Sequence, residues 1–150
     1  MNMYDEYVQK LQEEWNALPV FYAIAMDESG LTRKLQEVLV KRGLNASQIN
    51  EVCSLGDGCF CLKGDVALLK EYSERNRNKL ADAMQEPGFA YQAFYAELVN
   101  NEFCFTEDES DALDALKLTS TEVEDNPMLK RSLAKAKKKI AGSRSIPEMV

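Results

Sequence analysis

The sequence predicts an α+β domain, in which a small antiparallel sheet of about three strands is packed by several helices and the C-terminus is helical. Three observations support this prediction. Apolar residues recur at helical spacing in several long stretches. A short run of strand-forming residues, VFYAIAM, lies between two of these stretches. Two further apolar runs, VCSL and CFCL, flank a Gly-Asp-Gly sequence, which is typical of a β-hairpin.

The N-terminal half is predicted to begin with a helix over residues 3–18, because apolar side chains recur on one face and Glu and Gln on the other. Pro19 ends this helix, since the residue before a proline avoids helical dihedral angles. Asp27 caps a second helix, and Gly43 supplies the left-handed residue that stops it. We expect the strands at about residues 20–26, 52–55 and 59–62.

The C-terminal half is predicted to be mostly helical. Asp65 begins a helix that ends before Glu86-Pro87-Gly88, and FAYQAFYAELVNN forms the next one. The alternating segment EFCFT, residues 102–106, is expected to add a strand or to cover the sheet edge. Capping signals then start further helices at Asp108 or Ser110, at Thr119 with Glu122, and at Asn126-Pro127.

Length and composition fit one soluble domain. At 150 residues the chain is long enough to bury a core, and 45% of its residues are apolar. No run of about 18 apolar residues is present, so we expect no membrane span and no membrane partner. The N-terminal MNMYDEYVQKLQEEW lacks the basic and apolar regions of a signal peptide, which favours a cytoplasmic location.

Charge is unevenly distributed along the chain. Residues 126–150 carry seven basic residues and one acidic residue, whereas residues 1–125 carry eleven basic and twenty-four acidic residues. The net charges are therefore +6 and −13. We predict an acidic α+β domain at 1–125 and a basic C-terminal helix and tail at 126–150. Such asymmetry bears on partners rather than on fold, and an acidic body favours a basic protein surface.

Three of the four cysteines lie in EVCSLGDGCFCLKGD, at Cys53, Cys59 and Cys61. Together with Cys104 they form a candidate four-thiolate zinc site, although zinc ligands usually come in C-x2-C pairs and the chain has no histidine. The favoured alternative is that small buried thiols fill one face of the hairpin, opposite Phe60. In a reducing cytosol the cysteines stay as thiols, and we expect no cofactor.

The sequence contains no motif of a known enzyme class. The lack of histidine excludes Ser-His-Asp and Cys-His catalysis. SLGDGCF has neither a third glycine nor a Lys-Ser pair, so it does not predict a phosphate-binding loop. A lysine-dependent or carboxylate-dependent enzyme is left open, and a chain without enzymatic activity is the favoured expectation.

An acidic run after residue 106 is the first candidate binding surface. It has three interpretations: a magnesium site, the solvated start of a short helix, or a recognition surface for a basic protein. Its spacing matches no calcium-binding loop, because the turn glycine and the closing glutamate are missing. The residues assigned to the partner contact are Glu107, Asp108, Glu109, Asp111 and Asp114.

The segment KRSLAKAKKK is the second candidate surface, and its candidate nucleic-acid ligands are Lys135, Lys137, Lys138 and Lys139. No aromatic residue is interleaved in this segment, so base stacking is not predicted there. The favoured alternative is a basic helix that pairs with the acidic part of the same protein or of a second copy. The second case would produce a homo-oligomer.

The order of VFYAIA, SLGDGCFCLKGDVALL and YAELVNNEFCFTEDESDALDALKLT resembles a family of small uncharacterised proteins from bacteriophages and other mobile elements. The likeness covers roughly residues 15–120. Asn101 stands where the family pattern has histidine, and Asp57 interrupts the glycine run. The resemblance implies a phage or mobile-element setting in the cytoplasm of a bacterial host cell, and it transfers no catalytic residue.

Three functional hypotheses follow. The first is a non-enzymatic interaction protein whose acidic surface binds a basic host or defence protein, as an inhibitor that mimics nucleic acid. The second is a nucleic-acid-associated accessory protein that uses the basic C-terminal helix. The third is a zinc-stabilised module or a metal-dependent enzyme.

Overall fold

The computed structural model describes the backbone of residues 2–145 and the side chains of residues 2–142, and it confirms the predicted α+β class. The strands are β1 (Phe21–Tyr22), β2 (Val52–Gly56) and β3 (Cys59–Leu62). The helices of the described residues are α1 (Met3–Asn16), α2 (Glu28–Lys41), α3 (Val66–Ala83), α4 (Pro87–Asn100), α5 (Phe103–Thr106), α6 (Ser110–Ala115), α7 (Ser120–Glu124) and α8 (Pro127–Ser145). Short 3-10 helices at Ala46–Glu51 and Lys63–Asp65 precede β2 and α3.

The described residues form two compact units. Unit 1 contains residues 2–11 and 74–145, and unit 2 contains residues 12–73. The division of the chain into an acidic domain and a basic tail concerns charge rather than packing, and it stays a prediction. Residues 146–150 of the predicted tail lie outside the described residues.

Unit 2 is built on the sheet, in which β3 lies between β1 and β2 and both pairings are antiparallel. Cys53 is opposite Cys61, and Phe21 is opposite Phe60. Successive side chains of a strand point to opposite faces, so the sheet buries two separate clusters. The cluster on the cysteine face consists of Val20, Cys59, Cys61 and Leu69. The cluster on the phenylalanine face consists of Phe21, Ala23, Leu35 and Phe60.

The two ends of α2 confirm their predicted signals. The Asp27 carboxylate accepts a hydrogen bond from the Gly30 N–H at 2.7 Å, which satisfies one of the free donors at the helix start. Gly43 follows the helix with φ +80°, a left-handed value that glycine adopts without steric cost. Local sequence therefore defines where this helix begins and ends.

Unit 1 is helical, and α4 provides its centre. Ala90, Ala93, Phe94 and Leu98 of this helix are fully buried. α8 packs along α4 through a ridge at helical spacing, formed by Leu129, Leu133, Ala136 and Ile140. The capping box of Thr119 and Glu122 and the cap of Asn126 on α8 are both present, as predicted. The basic helix is thus part of the core of unit 1.

Two strand predictions are wrong in extent or type. The first strand was expected over residues 20–26, but only Phe21–Tyr22 pairs regularly, because its partner β3 begins at Cys59, directly after a tight turn through Asp57 and Gly58. Segment 102–106 was expected to be extended, but it forms the single-turn helix α5. The reason is that the adjacent side chains of Phe103 and Cys104 both pack against the core, which strand alternation does not allow.

Candidate functional site

The acidic segment, defined as residues 102–114, is the first candidate site in unit 1. It contains α5, a short connection and the start of α6. Four of the five acidic residues that were predicted to contact a partner are exposed; these are Glu107, Asp108, Asp111 and Asp114. The structure therefore presents most of the predicted patch at the surface on neighbouring short elements.

Both flanks of α5 have left-handed backbone. Glu102 precedes the helix and Glu107 follows it, and each has φ +58°. For a residue with a Cβ, this conformation costs about 1–2 kcal/mol relative to right-handed backbone. Residues held in such conformations cluster at binding and active sites, because the surrounding structure must offset their cost. The segment is thus a strained, sharply turned projection rather than an extended strand.

The tip of this projection is Phe105. Its side chain is 83% exposed, whereas Phe103 and Cys104 pack against the core of unit 1. Phe105 was not predicted as a surface residue, because Phe103 and Phe105 are two positions apart, which in a strand would place both on the same inward face. The signal that distinguishes them is the pair of acidic residues that flank FCFT, which place charge on both sides of the tip.

Glu109 differs from the other four acidic residues. Its carboxylate forms an ion pair with the ammonium of Lys137 on α8, and the side chain is only 31% exposed. The same ammonium lies 5.8 Å from the centre of the Phe103 ring. Glu109 and Lys137 therefore connect the acidic segment to α8, and their predicted roles in binding a partner and nucleic acid stay predictions.

Asp108 is held in a local turn. Its carboxylate accepts a hydrogen bond from the Ser110 N–H at 2.9 Å. This backbone donor, followed by the Ser110 hydroxyl, lowers the pKa of the Asp108 carboxyl below its ordinary value. These hydrogen bonds therefore favour the ionised form of the Asp108 carboxyl.

The second candidate site is the surface of α8. Lys130 pairs with Glu124 at 3.0 Å, and Lys137 pairs with Glu109, so one flank of the helix is neutralised by acidic side chains. Of the predicted nucleic-acid ligands, Lys135, Lys138 and Lys139 are exposed. The structure separates Lys137 from them, because it lies on the flank that faces α6.

An aromatic pair lies beside the exposed part of α8. The Lys135 ammonium lies 4.5 Å from the centre of the Tyr91 ring, and the Tyr91 and Tyr95 rings are 6.4 Å apart. Both tyrosines belong to α4 and are half-buried. The proximity of the tyrosines to the lysines of α8 was not predicted, because the aromatic residues precede the lysines by about forty positions and only packing brings them together.

The four cysteines are divided between the two units. Cys53, Cys59 and Cys61 share one sheet face in unit 2, whereas Cys104 packs in the core of unit 1. Burial raises the pKa of the Cys61 thiol above its ordinary value, which favours the neutral thiol over the thiolate. Within residues 2–145, no group of three or more Cys, Asp or Glu side chains is arranged to hold a metal ion. The zinc hypothesis remains a prediction.

Within the part of the chain that is described, every helix is too short or too polar to span a bilayer. Comparison with known proteins gives a family but no activity. No curated protein and no solved structure matches the chain. A family profile described only as a family of unknown function matches residues 3–139, which include both candidate sites. The resemblance to an uncharacterised family is confirmed at that level, and the chain belongs to the family of unknown function DUF7659.

Proposed function

We propose that this chain is a non-enzymatic interaction protein whose acidic segment binds a basic surface of another protein. The observation that carries the proposal is the 83% exposure of Phe105 at the tip of a segment flanked by carboxylates. Aromatic side chains, phenylalanine included, are enriched at the buried core of protein interfaces. An aromatic tip in a negatively charged setting fits an apolar pocket with a basic rim.

The four exposed carboxylates and Phe105 have different roles in this proposal. The carboxylates of Glu107, Asp108, Asp111 and Asp114 attract the basic partner and accelerate association. Phe105 supplies apolar area that is removed from water in the complex, and it slows dissociation. Glu109 is left out of the contact surface, because its ion pair with Lys137 holds the segment in place.

The partner class follows from the charge. Proteins that bind nucleic acid present clustered lysine and arginine to the phosphate backbone. A row of carboxylates on short turns competes for the same cations, so the proposed activity is occlusion of a nucleic-acid site on a host or defence protein. The resemblance to phage and mobile-element proteins supports a setting in the cytoplasm of a bacterial host, where such partners are abundant.

The test is affinity capture from bacterial lysate with the full chain as bait, in parallel with and without nuclease. One variant removes the tip, Phe105→Ser. A second neutralises the patch with Glu107→Gln, Asp108→Asn, Asp111→Asn and Asp114→Asn. The matched control neutralises four exposed acidic residues on α1 and α3, with Glu6→Gln, Glu13→Gln, Glu71→Gln and Glu74→Gln.

The expected result is a stoichiometric protein partner that resists nuclease, is kept by the control and is lost with both variants. In a binding assay with that partner, Phe105→Ser should weaken the Kd at least about thirtyfold, which corresponds to about 2 kcal/mol. A partner that the patch variant retains as well as the wild type would refute the proposed surface. Far-UV circular dichroism establishes that each variant is folded.

A further inference from the structure

A second surface of unit 1 combines positive charge with aromatic rings. On α4, Tyr91 and Tyr95 are one helical turn apart, so they occupy the same face. The ammonium of Lys135 on α8 lies 4.5 Å from the centre of the Tyr91 ring. Two neighbouring helices therefore contribute a row of rings and a row of cations to one surface.

The cations of this surface are distinct from those that balance acidic residues. Arg131, Lys135 and Lys138 recur at i, i+4 and i+7, all three are exposed, and they lie opposite the buried ridge of α8. On the flank towards α6 and α7, Lys130 and Lys137 are already paired with Glu124 and Glu109. Among the side chains of residues 2–142, the ion pairs of α8 thus lie on one flank, and Arg131, Lys135 and Lys138 place positive charge at its outer face.

We infer that the face formed by Tyr91, Tyr95, Arg131, Lys135 and Lys138 binds single-stranded nucleic acid. Single strands are held by cations that follow the phosphate backbone and by aromatic rings on which unpaired bases stack. An acidic protein would use the cations but has no need of two adjacent, half-buried aromatic rings. A duplex would present phosphates but no unstacked base to the tyrosines.

This inference does not depend on the proposed function of the acidic segment. The two surfaces share no residue, and their ligands carry opposite charge. Neutralising the acidic patch should leave nucleic-acid binding at the tyrosine face intact or strengthen it, because like-charge repulsion falls. The two proposals therefore fail independently.

The experiment measures fluorescence anisotropy of a labelled thymidine oligonucleotide with the full chain at several NaCl concentrations. For three or four phosphate contacts, a plot of log K against log salt should have a slope of about −2 to −3. Lys138→Gln should reduce the steepness by about 0.7, since one contact is lost. Tyr91→Leu should weaken binding roughly tenfold with little change in slope, because it removes stacking but no charge.

Lys130→Gln is the matched control, since it removes one positive charge from the same helix on the flank that is paired with Glu124. It should leave the slope unchanged. Two results would overturn the inference: no saturable binding at about 50 mM NaCl, or duplex binding as tight as single-strand binding with Tyr91→Leu equal to wild type. The second result would identify a merely electrostatic surface. Circular dichroism of Tyr91→Leu and of Tyr95→Leu separates lost binding from lost folding.

Discussion

The acidic segment and α8 are two charged parts of unit 1 that are built in opposite ways. The acidic segment has helices of only four and six residues and two left-handed glutamates. α8 is one regular helix of 19 residues with a continuous buried ridge. Charge on α8 is thus displayed by a core element, whereas charge on the acidic segment is displayed by turns that cost conformational energy.

This difference determines what each surface can present. A helix spaces its side chains regularly, so its outer face offers a row of similar cations at a fixed spacing. The acidic segment instead exposes one aromatic side chain, Phe105, among its carboxylates, because α5 is a single turn between two left-handed residues. The first arrangement suits a repetitive ligand such as a polymer. The second suits one specific pocket.

The largest effect is expected from a change in the buried ridge of α8. Leu133→Ala removes a side chain that is 6% exposed and leaves a cavity against α4. We expect a loss of about 2–5 kcal/mol in the free energy of unfolding, measured by urea denaturation. The reason is that the basic helix is packed into unit 1 along its whole apolar face.

The control for this change is Lys138→Ala, which alters the exposed face of the same helix by one residue. It should change the free energy of unfolding by no more than about 0.5 kcal/mol. A loss below about 1 kcal/mol for Leu133→Ala would mean that α8 is a detachable tail, and the contrast with the acidic segment would then fail.

A smaller effect is expected from glycine. Adding a glycine should stabilise the acidic segment, whereas removing a glycine should stabilise α8. Glu102→Gly relieves left-handed strain at φ +58° and should stabilise by about 0.5–1 kcal/mol. Gly142→Ala in α8 should stabilise by a similar amount, about 0.5–1 kcal/mol, because alanine favours helix. Outside the backbone of its own helix, no atom of the described residues lies within 4 Å of an added Cβ at Gly142, so none of them opposes this gain.

Glu102→Ala separates conformation from charge at the first position. Alanine removes the carboxylate but keeps the Cβ, so it should give none of the stabilisation that glycine gives. Thermal unfolding of the three variants beside wild type provides the comparison. Equal stabilisation by alanine and glycine would attribute the effect to charge repulsion and would remove the argument for backbone strain.

The same contrast explains what could be predicted from sequence. α8 was predictable because its ridge has helical period and Asn126-Pro127 marks its start. The hairpin faces were predictable because Cys59 and Cys61 alternate with Phe60. Segment 102–106 was not predictable. FCF has the alternation of a strand, and the flanking residues Glu102 and Glu107 adopt left-handed backbone angles that glutamate does not predict.

The candidate sites divide in the same manner. The exposed acidic residues were correctly placed at the surface, because charged side chains rarely lose all contact with water. Glu109 was not distinguished from them, since its partner Lys137 is 28 positions away in sequence. The tyrosines beside α8 were missed for the same reason. Contacts between distant segments depend on packing, and local patterns carry no record of them.

The smallest predicted effect concerns Asp108, where the acidic segment holds charge by hydrogen bonding. Ser110→Ala removes the hydroxyl donor but keeps the Ser110 N–H, so the pKa of Asp108 should rise only part of the way to its ordinary value. A carboxyl whose folded pKa is depressed stabilises the fold above its unfolded pKa, and this stabilisation is lost as pH falls through the folded pKa. The variant should therefore lose the contribution of Asp108 at a slightly higher pH than the wild type. Carboxyl carbon NMR titration of both proteins measures the shift, and an unchanged Asp108 pKa would show that the backbone donor alone holds the charge.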